Sequence, residues 1–375
     1  MGPKAEQQHE HCFINEDPAA RLSDLERLTV LGGTGLDRAI SRVGRGINGF
    51  TFDAKSFANT VISGITPVKD HEHLISNFQY DATPFPVQDL AETPIHVLSD
   101  GCVTDLNFSS AMVSEYGDES FSEYKANNKV WVRLWEGSDL GTATVVAVHG
   151  WTMGEQRINS LAFLPGIFLR LGLNLAIIEL PFHGRRRTPT QAGESGNPFP
   201  NPDPTFTRFA MSQALSDLRQ LKTVLVDRGH QKIGCMGMSL GGYSGALWSS
   251  LDKLDFGIFM VPLVSMSDLI WDLIQRSTEA GENLPKGINR KTIKDLFAEH
   301  CMLNYPSITP QEDLLVLGGR GDHLIPQKQL AKLRRHWPNA SFKWLSGGHG
   351  AGFRDSEKSL LTIVTWMKER GILSP

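Results

Sequence analysis

The 375-residue chain holds only four cysteines, Cys12, Cys102, Cys235 and Cys301. They are widely scattered with no C-x-x-C pair, so neither a disulfide framework nor a cysteine zinc site is supported, and a reduced, cytoplasmic setting is expected. No run of about 18 apolar residues occurs, which excludes a transmembrane helix by sequence. The opening "MGPKAEQQHEHC" is too polar for a signal-peptide core, and Pro3 after Gly2, with Glu6 at the usual Ser or Thr position, argues against a myristoyl anchor. Charge of one sign is lacking too: the net charge is −4, and the only basic run is Arg185-Arg186-Arg187. Such a chain has no field for gripping a phosphate backbone, so nucleic acid is not an expected partner. The "HEHC" and "DHEH" clusters at His9–Cys12 and Asp70–His73 read as solvated surface, and no metal is expected.

What remains is ordinary for a folded protein, with 40% hydrophobic residues, and its texture changes along the chain. Residues 1–95 read as a helical extension. Asp17-Pro18 makes an N-cap and first-turn pair ahead of Leu22, Leu25 and Leu28, and Leu36, Ile40, Val43 and Ile47 recur at helical spacing. "LTVLGGTGLDR" carries Gly32, Gly33 and Gly35, but Arg38 stands where a dinucleotide-binding loop needs its third glycine; a helix ending at glycine is the better reading. The apolar faces of this extension are too small for a core of their own, so they are expected to dock on the rest of the chain or to form a homo-oligomer.

From residue 96 to 375, short β-branched runs alternate with amphipathic helices, the pattern of an α/β protein with a mostly parallel central sheet and helices on both faces. "KVWVRLWEG" alternates like an antiparallel strand. "TATVVAVHG" and "LNLAIIELPFHG" are nearly continuous apolar runs, as for central strands covered on both sides. Pro165-Gly166 is expected to disturb the helix between them. A segment over about 266–310 reads as a small helical cap, with Leu269, Ile270, Leu273 and Ile274 on one apolar face.

"GCMGMSLGGYSG" sets Ser239 where a buried strand meets a helix, with Gly237 and Gly241 two residues to either side. Such a turn is tight, and side chains at the flanking positions would collide with strand and helix. A serine hydroxyl needs a base to act as a nucleophile, and the base needs an acid to fix its tautomer. The strand "EDLLVLGG" runs into "RGDHLIP" with Asp322, and "SFKWLSGG" runs into "HGAGF" with His349. Donors for an oxyanion are expected from the Leu240 amide, after the serine, and from the Trp151 amide in "VVAVHGWTMG", with Thr152 in reserve. Cys235, inside a strand, reads as packed core.

Together "HGW", "GMSLGG", "GGRGDHLIP" and "GGHG" make residues 96–375 resemble the α/β-hydrolase superfamily, on its serine esterase and lipase-like side. The resemblance implies a catalytic order Ser239, Asp322, His349 and an oxyanion hole of Trp151 and Leu240. Asp268, in "SMSDLIWD", is a rival for the acid, because some members place it after the preceding strand. His183, in "PFHGRRR", competes with His349 but reads as a residue shaping its loop. The implied activity is hydrolysis of small or medium carboxylic esters through an acyl-enzyme without a cofactor. Leu269, Ile270 and Leu273 are the expected pocket wall. A thioesterase or peptidase would use the same groups, and a non-catalytic receptor pocket on the same fold is the reading from another class.

Overall fold

The computed structural model describes residues 86–112, 124–187, 195–196, 199, 204–279, 288–350 and 356–373. The chain enters the sheet with an antiparallel ladder: β1 (Gln88–Leu98) pairs with β2 (Gly101–Ser109), which pairs with β3 (Lys129–Gly137). The sheet therefore begins at Gln88, inside the segment expected to belong to the extension. The reason is visible in "QDLAETPIHVL". As an edge strand exposed along almost its whole length, β1 lacks the apolar alternation that marks a strand in sequence. Residues 1–85 of that segment, including the glycine-rich and histidine-rich motifs, lie outside the described residues.

After β3 come β4 (Ala143–Val148), α1 (Gln156–Phe163), α2 (Pro165–Arg170), β5 (Leu173–Ile178), the long α3 (Pro204–Asp227) and β6 (Ile233–Met238). The expected disturbance at Pro165 is a break: Leu164 adopts φ 49° between α1 and α2, and Pro165 opens the second helix, where it needs no amide hydrogen. Beyond β6 follow α4 (Leu240–Leu251), β7 (Gly257–Met260), α5 (Met266–Glu279), α6 (Arg290–Leu296), β8 (Leu314–Gly319), α7 (Gln327–His336), β9 (Ser341–Leu345) and α8 (Ser356–Glu369).

The nine strands lie in the order β1-β2-β3-β5-β4-β6-β7-β8-β9, antiparallel as far as the β3–β5 pair and parallel from β5 onward. Every residue of β4, β5, β6 and β8 is buried, because helices cover both faces. The pleat divides their side chains by alternation. Val146 and Val148 join Leu240, Tyr243 and Trp248 of α4, Leu215 and Leu218 of α3, and Leu330 and Leu333 of α7. Val145 and Ala147 face the other way, against Phe163, Phe168, Trp366 and Met367 from α1, α2 and α8.

The chain moves from β4 out to β5 and then back across to β6 on the other side of β4. That reversal leaves a crevice beyond the carboxyl ends of β4 and β6, the place where open α/β sheets carry their sites. The basic run is used internally. Arg186 is fully buried against Asp217 at 2.7 Å, and Arg185 pairs with Glu179 and Asp105 at 2.7 and 2.8 Å.

Candidate active site

Ser239 occupies the turn between β6 and α4 with φ 53° and ψ −111°. This is a left-handed conformation that a residue with a side chain adopts only under constraint. The constraint is visible in the backbone: Ser239 N–H donates to Met260 O at 2.9 Å, while its carbonyl accepts from Tyr243 N–H at 3.0 Å and Leu263 N–H at 3.2 Å. The flanking glycines are required for the steric reason read in the sequence. A Cβ at Gly237 would lie 2.2 Å from Gly241 O, and one at Gly241 would lie 2.0 Å from Val148 O. Both obstacles are backbone and cannot swing aside.

The loops after β8 and β9 are joined by backbone bonds from Arg320 N–H to Leu345 O at 3.0 Å and from Gly321 N–H to Gly347 O at 2.6 Å. They bring Asp322 and His349 to the serine. His349 Nε2 lies 2.8 Å from Ser239 Oγ, and His349 Nδ1 lies 2.8 Å from Asp322 Oδ2. The other carboxylate oxygen, Oδ1, accepts the amide hydrogens of Leu324 at 2.9 Å and Ile325 at 2.7 Å, which fixes the rotation of the carboxylate. The three side chains form one hydrogen-bonded line, and only the serine and histidine end of it is open to solvent in part.

The loop after β4 runs alongside. A Cβ at Gly150 would lie 3.5 Å from Ser239 Cβ, so the loop passes against the serine one residue before Trp151. The loop turns back on itself through Met153 N–H to Gly150 O at 3.3 Å, with Thr152 at φ 66°. Leu240, next to the serine in the chain, opens α4, where a helix offers its amide no internal acceptor. The candidate oxyanion amides of Trp151 and Leu240 thus belong to the two loops that meet at the serine, after β4 and β6.

His149 stands behind this loop. Its Nε2 accepts from Leu180 N–H at 3.0 Å and its Nδ1–H donates to Gly150 O at 2.9 Å, so the ring is neutral with a defined tautomer. Burial holds it down at about 4, and the nearby Arg186 adds to this. The rival base His183 is also fully buried, lies with its ring centroid 5.0 Å from that of His149 at an interplanar angle of 58°, and donates Nδ1–H to Pro181 O at 2.8 Å. It shapes the loop after β5. Asp268, the rival acid, lies on α5, where Arg290 and Lys332 take up its two oxygens. Cys235 is buried in β6, and burial pushes its thiol up.

The expected pocket wall divides. Ile270 is packed in the core with Ile274, while Leu269 and Leu273 are half-buried on the same helix. Among the described residues no group of three His, Cys, Asp or Glu side chains is placed to hold a metal ion, and no helix is long and apolar enough to cross a membrane.

Sequence reasoning missed Ser195 and Gly196, which touch the loop after β4 from a segment more than forty residues downstream. The only signal for them in sequence is the run "RRRTPTQAGESGNPFPNPDPTF", too rich in Pro and Gly for a regular element and placed after the central strand β5.

The buried histidines set an acid limit on stability. His149 is held at about 4 and His300 at about 3, in each case chiefly by burial, and His183 lies well below its ordinary value for the same reason. Each is neutral in the folded protein but takes up a proton near pH 6.5 when unfolded, so the unfolded chain binds more protons and stability rises with pH through this window. The contribution is complete above pH 6.5 and lost as pH falls toward the folded values. For His149 alone the loss approaches about 3 kcal/mol. Thermal melts are expected to show Tm at pH 5 lower than at pH 7.5 by on the order of 10 °C. A Tm unchanged between the two would contradict this account of the buried rings.

This sheet, its reversal at β4 and the turn at Ser239 define the α/β-hydrolase fold, and solved structures agree. The chain is similar to acetyl xylan esterase 1 from Thermoanaerobacterium sp., with TM-score 0.55 and 15% identity, covering 81% of this chain and 98% of that one. It is also similar to the acetyl xylan esterase from Paenibacillus sp. R4, with TM-score 0.53 and 12% identity over 82% and 98% of the two chains. A peroxisomal alpha-beta-hydrolase from Saccharomyces cerevisiae matches with TM-score 0.50 and 12% identity over 74% and 92%. In sequence, uncharacterized proteins of the H37Rv and CDC 1551 strains of Mycobacterium tuberculosis are 28% identical over 263 residues, 69% of this chain. The chain spans 62% of the length of these relatives. No protein-family model matches it.

Proposed function

We propose that this protein is a serine hydrolase that cleaves carboxylic esters of small or medium acyl groups through an acyl-enzyme. The observation that carries the reading is the line from Asp322 through His349 to Ser239, with both contacts at 2.8 Å and the serine raised on a strained turn. In the reaction, His349 Nε2 takes the Ser239 proton as Oγ attacks the ester carbonyl, and Asp322 stabilises the imidazolium through Nδ1–H. The Leu240 and Trp151 amides receive the oxyanion. His349 then protonates the leaving alcohol, and afterwards activates the water that releases the acid.

Two of the similar solved structures are named acetyl xylan esterases, which is in keeping with a small acyl group. A thioesterase or peptidase would use the same groups. A receptor pocket, the reading from another class, gives no reason for a proton-transfer line ending on a strained serine. Fluorophosphonate labelling that maps to Ser239 supports the enzyme, whereas an inert serine supports the receptor. Across a series of esters of increasing acyl length, kcat/KM is expected to rise by up to about fourfold per methylene, equivalent to about 0.8 kcal/mol, and to stop rising once the pocket is full. A value still climbing through long-chain lipids would point to a lipase instead.

A further inference from the structure

The oxyanion loop is not held by its own strand alone. Trp151 Nε1–H donates to the carbonyl of Gly196 at 3.0 Å, and that carbonyl also accepts from Phe199 N–H at 3.0 Å. The adjacent Ser195 hydroxyl donates to Met153 O and accepts from Gly184 N–H at 3.0 Å. Gly196 N–H in turn donates to Phe182 O at 3.1 Å. One dipeptide therefore bridges the loop after β4, at Trp151 and Met153, to the loop after β5, at Phe182 and Gly184.

The fit of this dipeptide is close. Gly196 has φ +80°, and a Cβ there would lie 2.2 Å from Nε2 of His183, a ring already fixed by Pro181 O and packed at a tilt against His149. Gly154, at the end of the oxyanion loop, has φ +111°, and a Cβ there would meet Ser195 Oγ at 2.9 Å and Gly184 N at 2.7 Å. Close contact on both sides, permitted by two glycines with positive φ, leaves the 150–154 segment little room to shift.

We propose that Ser195 and Gly196 are positioning residues that aim the Trp151 amide at the oxyanion, with the Trp151 indole as the tether. The proposal rests on the serine-hydrolase reading and adds to it the part of the machinery that lies outside the triad. The physical case is directional. An oxyanion donor works only when its N–H already points to where charge develops, and here the Trp151 peptide sits between a glycine hinge, Gly150, and a strained Thr152 at φ 66°. The carbonyl of that same peptide, Gly150 O, accepts from His149 Nδ1–H and Met153 N–H, and the bonds to the Trp151 indole and to the Met153 carbonyl hold the rest of the loop that carries it. Neither residue reaches Ser239 Oγ in the hydrogen-bonded line, so neither touches the proton transfer.

The test uses full-length protein with p-nitrophenyl acetate as substrate and an aryl trifluoromethyl ketone, whose adduct with the serine carries the oxyanion, as inhibitor. Ser195→Ala and Trp151→Phe are each expected to lower kcat by about 10-fold with KM within about twofold, because a misaimed donor is lost in the transition state and not in the ground state. The ketone Ki is expected to rise by the same factor as kcat falls, and Ser195→Thr, which keeps the hydroxyl, to restore most of both. Gly196→Ala is expected to lose more, but its strain also threatens folding, so Ser195→Ala carries the decision. Wild-type kcat in Ser195→Ala, or a fall in kcat with the ketone Ki unchanged, overturns the positioning role. Ser239→Ala is measured beside them. Turnover surviving in that variant overturns the serine-hydrolase reading and this proposal with it, whereas an inactive Ser239→Ala beside a fully active Ser195→Ala overturns the positioning role alone.

Discussion

Ser239→Ala is expected to abolish ester turnover and fluorophosphonate labelling together, with kcat lower by at least about 10³, while the thermal midpoint moves little. The effect on rate follows from the loss of the attacking oxygen, which no neighbour supplies in the hydrogen-bonded line of Asp322, His349 and Ser239. The small effect on stability has a separate cause. The turn is held by main-chain bonds to Met260, Tyr243 and Leu263, none of which involves the hydroxyl. The substitution leaves His349 Nε2 without the serine, but that nitrogen belongs to a ring with partial access to water, so no dry, unsatisfied polar atom is created. Alanine also carries the same Cβ, and the strain at φ 53° is unchanged. Activity close to wild type in Ser239→Ala, with the purified protein free of contaminating esterase, would sink the mechanism. A variant that unfolds would show instead that the hydroxyl has a structural role.

Much of the fold was legible because its central strands are buried on both faces and leave a continuous apolar trace, as in Ala143–Val148 and Leu173–Ile178. The positions of Ser239, Asp322 and His349 were legible for a related reason. Each lies at or shortly after the carboxyl end of a strand, β6, β8 or β9, and in a parallel sheet those ends converge on one edge. What stayed hidden had no local signature. The edge strand β1 faces solvent, includes Pro94 and carries no core pattern. Asp268 and Asp322 both follow strands, β7 and β8, and only tertiary contacts separate them, Lys332 and Arg290 on the first and His349 on the second. Ser195 and Gly196 sit in a Pro- and Gly-rich stretch whose composition says loop and nothing about which loop it meets. The tilted contact of His149 with His183 is likewise a product of two strands meeting, β4 and β5, and neither neighbourhood in sequence announces it.

Asp322→Asn is expected to lower kcat by about 10⁴, with a far smaller change in KM, because it reverses the polarity of the bond that sets the histidine tautomer. In the native arrangement Oδ1 accepts two amide hydrogens, from Leu324 and Ile325, and Oδ2 accepts from His349 Nδ1–H. An asparagine has one oxygen to offer. If that oxygen faces the two amides, the NH₂ group faces His349 Nδ1, which must then act as acceptor and move its proton to Nε2. The base is lost, since Nε2–H can no longer take the proton of Ser239 at 2.8 Å. If the amide flips, two buried N–H donors confront an NH₂ group, a less favourable arrangement, so the first orientation prevails. Asp268→Asn removes bonds to Lys332 and Arg290 on the helices α7 and α6, remote from the tautomer, and activity is expected to stay within a few-fold of wild type. Steady-state kinetics of the two variants on one ester decides between the acids. The reverse ranking would assign the role to Asp268, and equal, small effects would show that His349 keeps its working tautomer without a carboxylate partner.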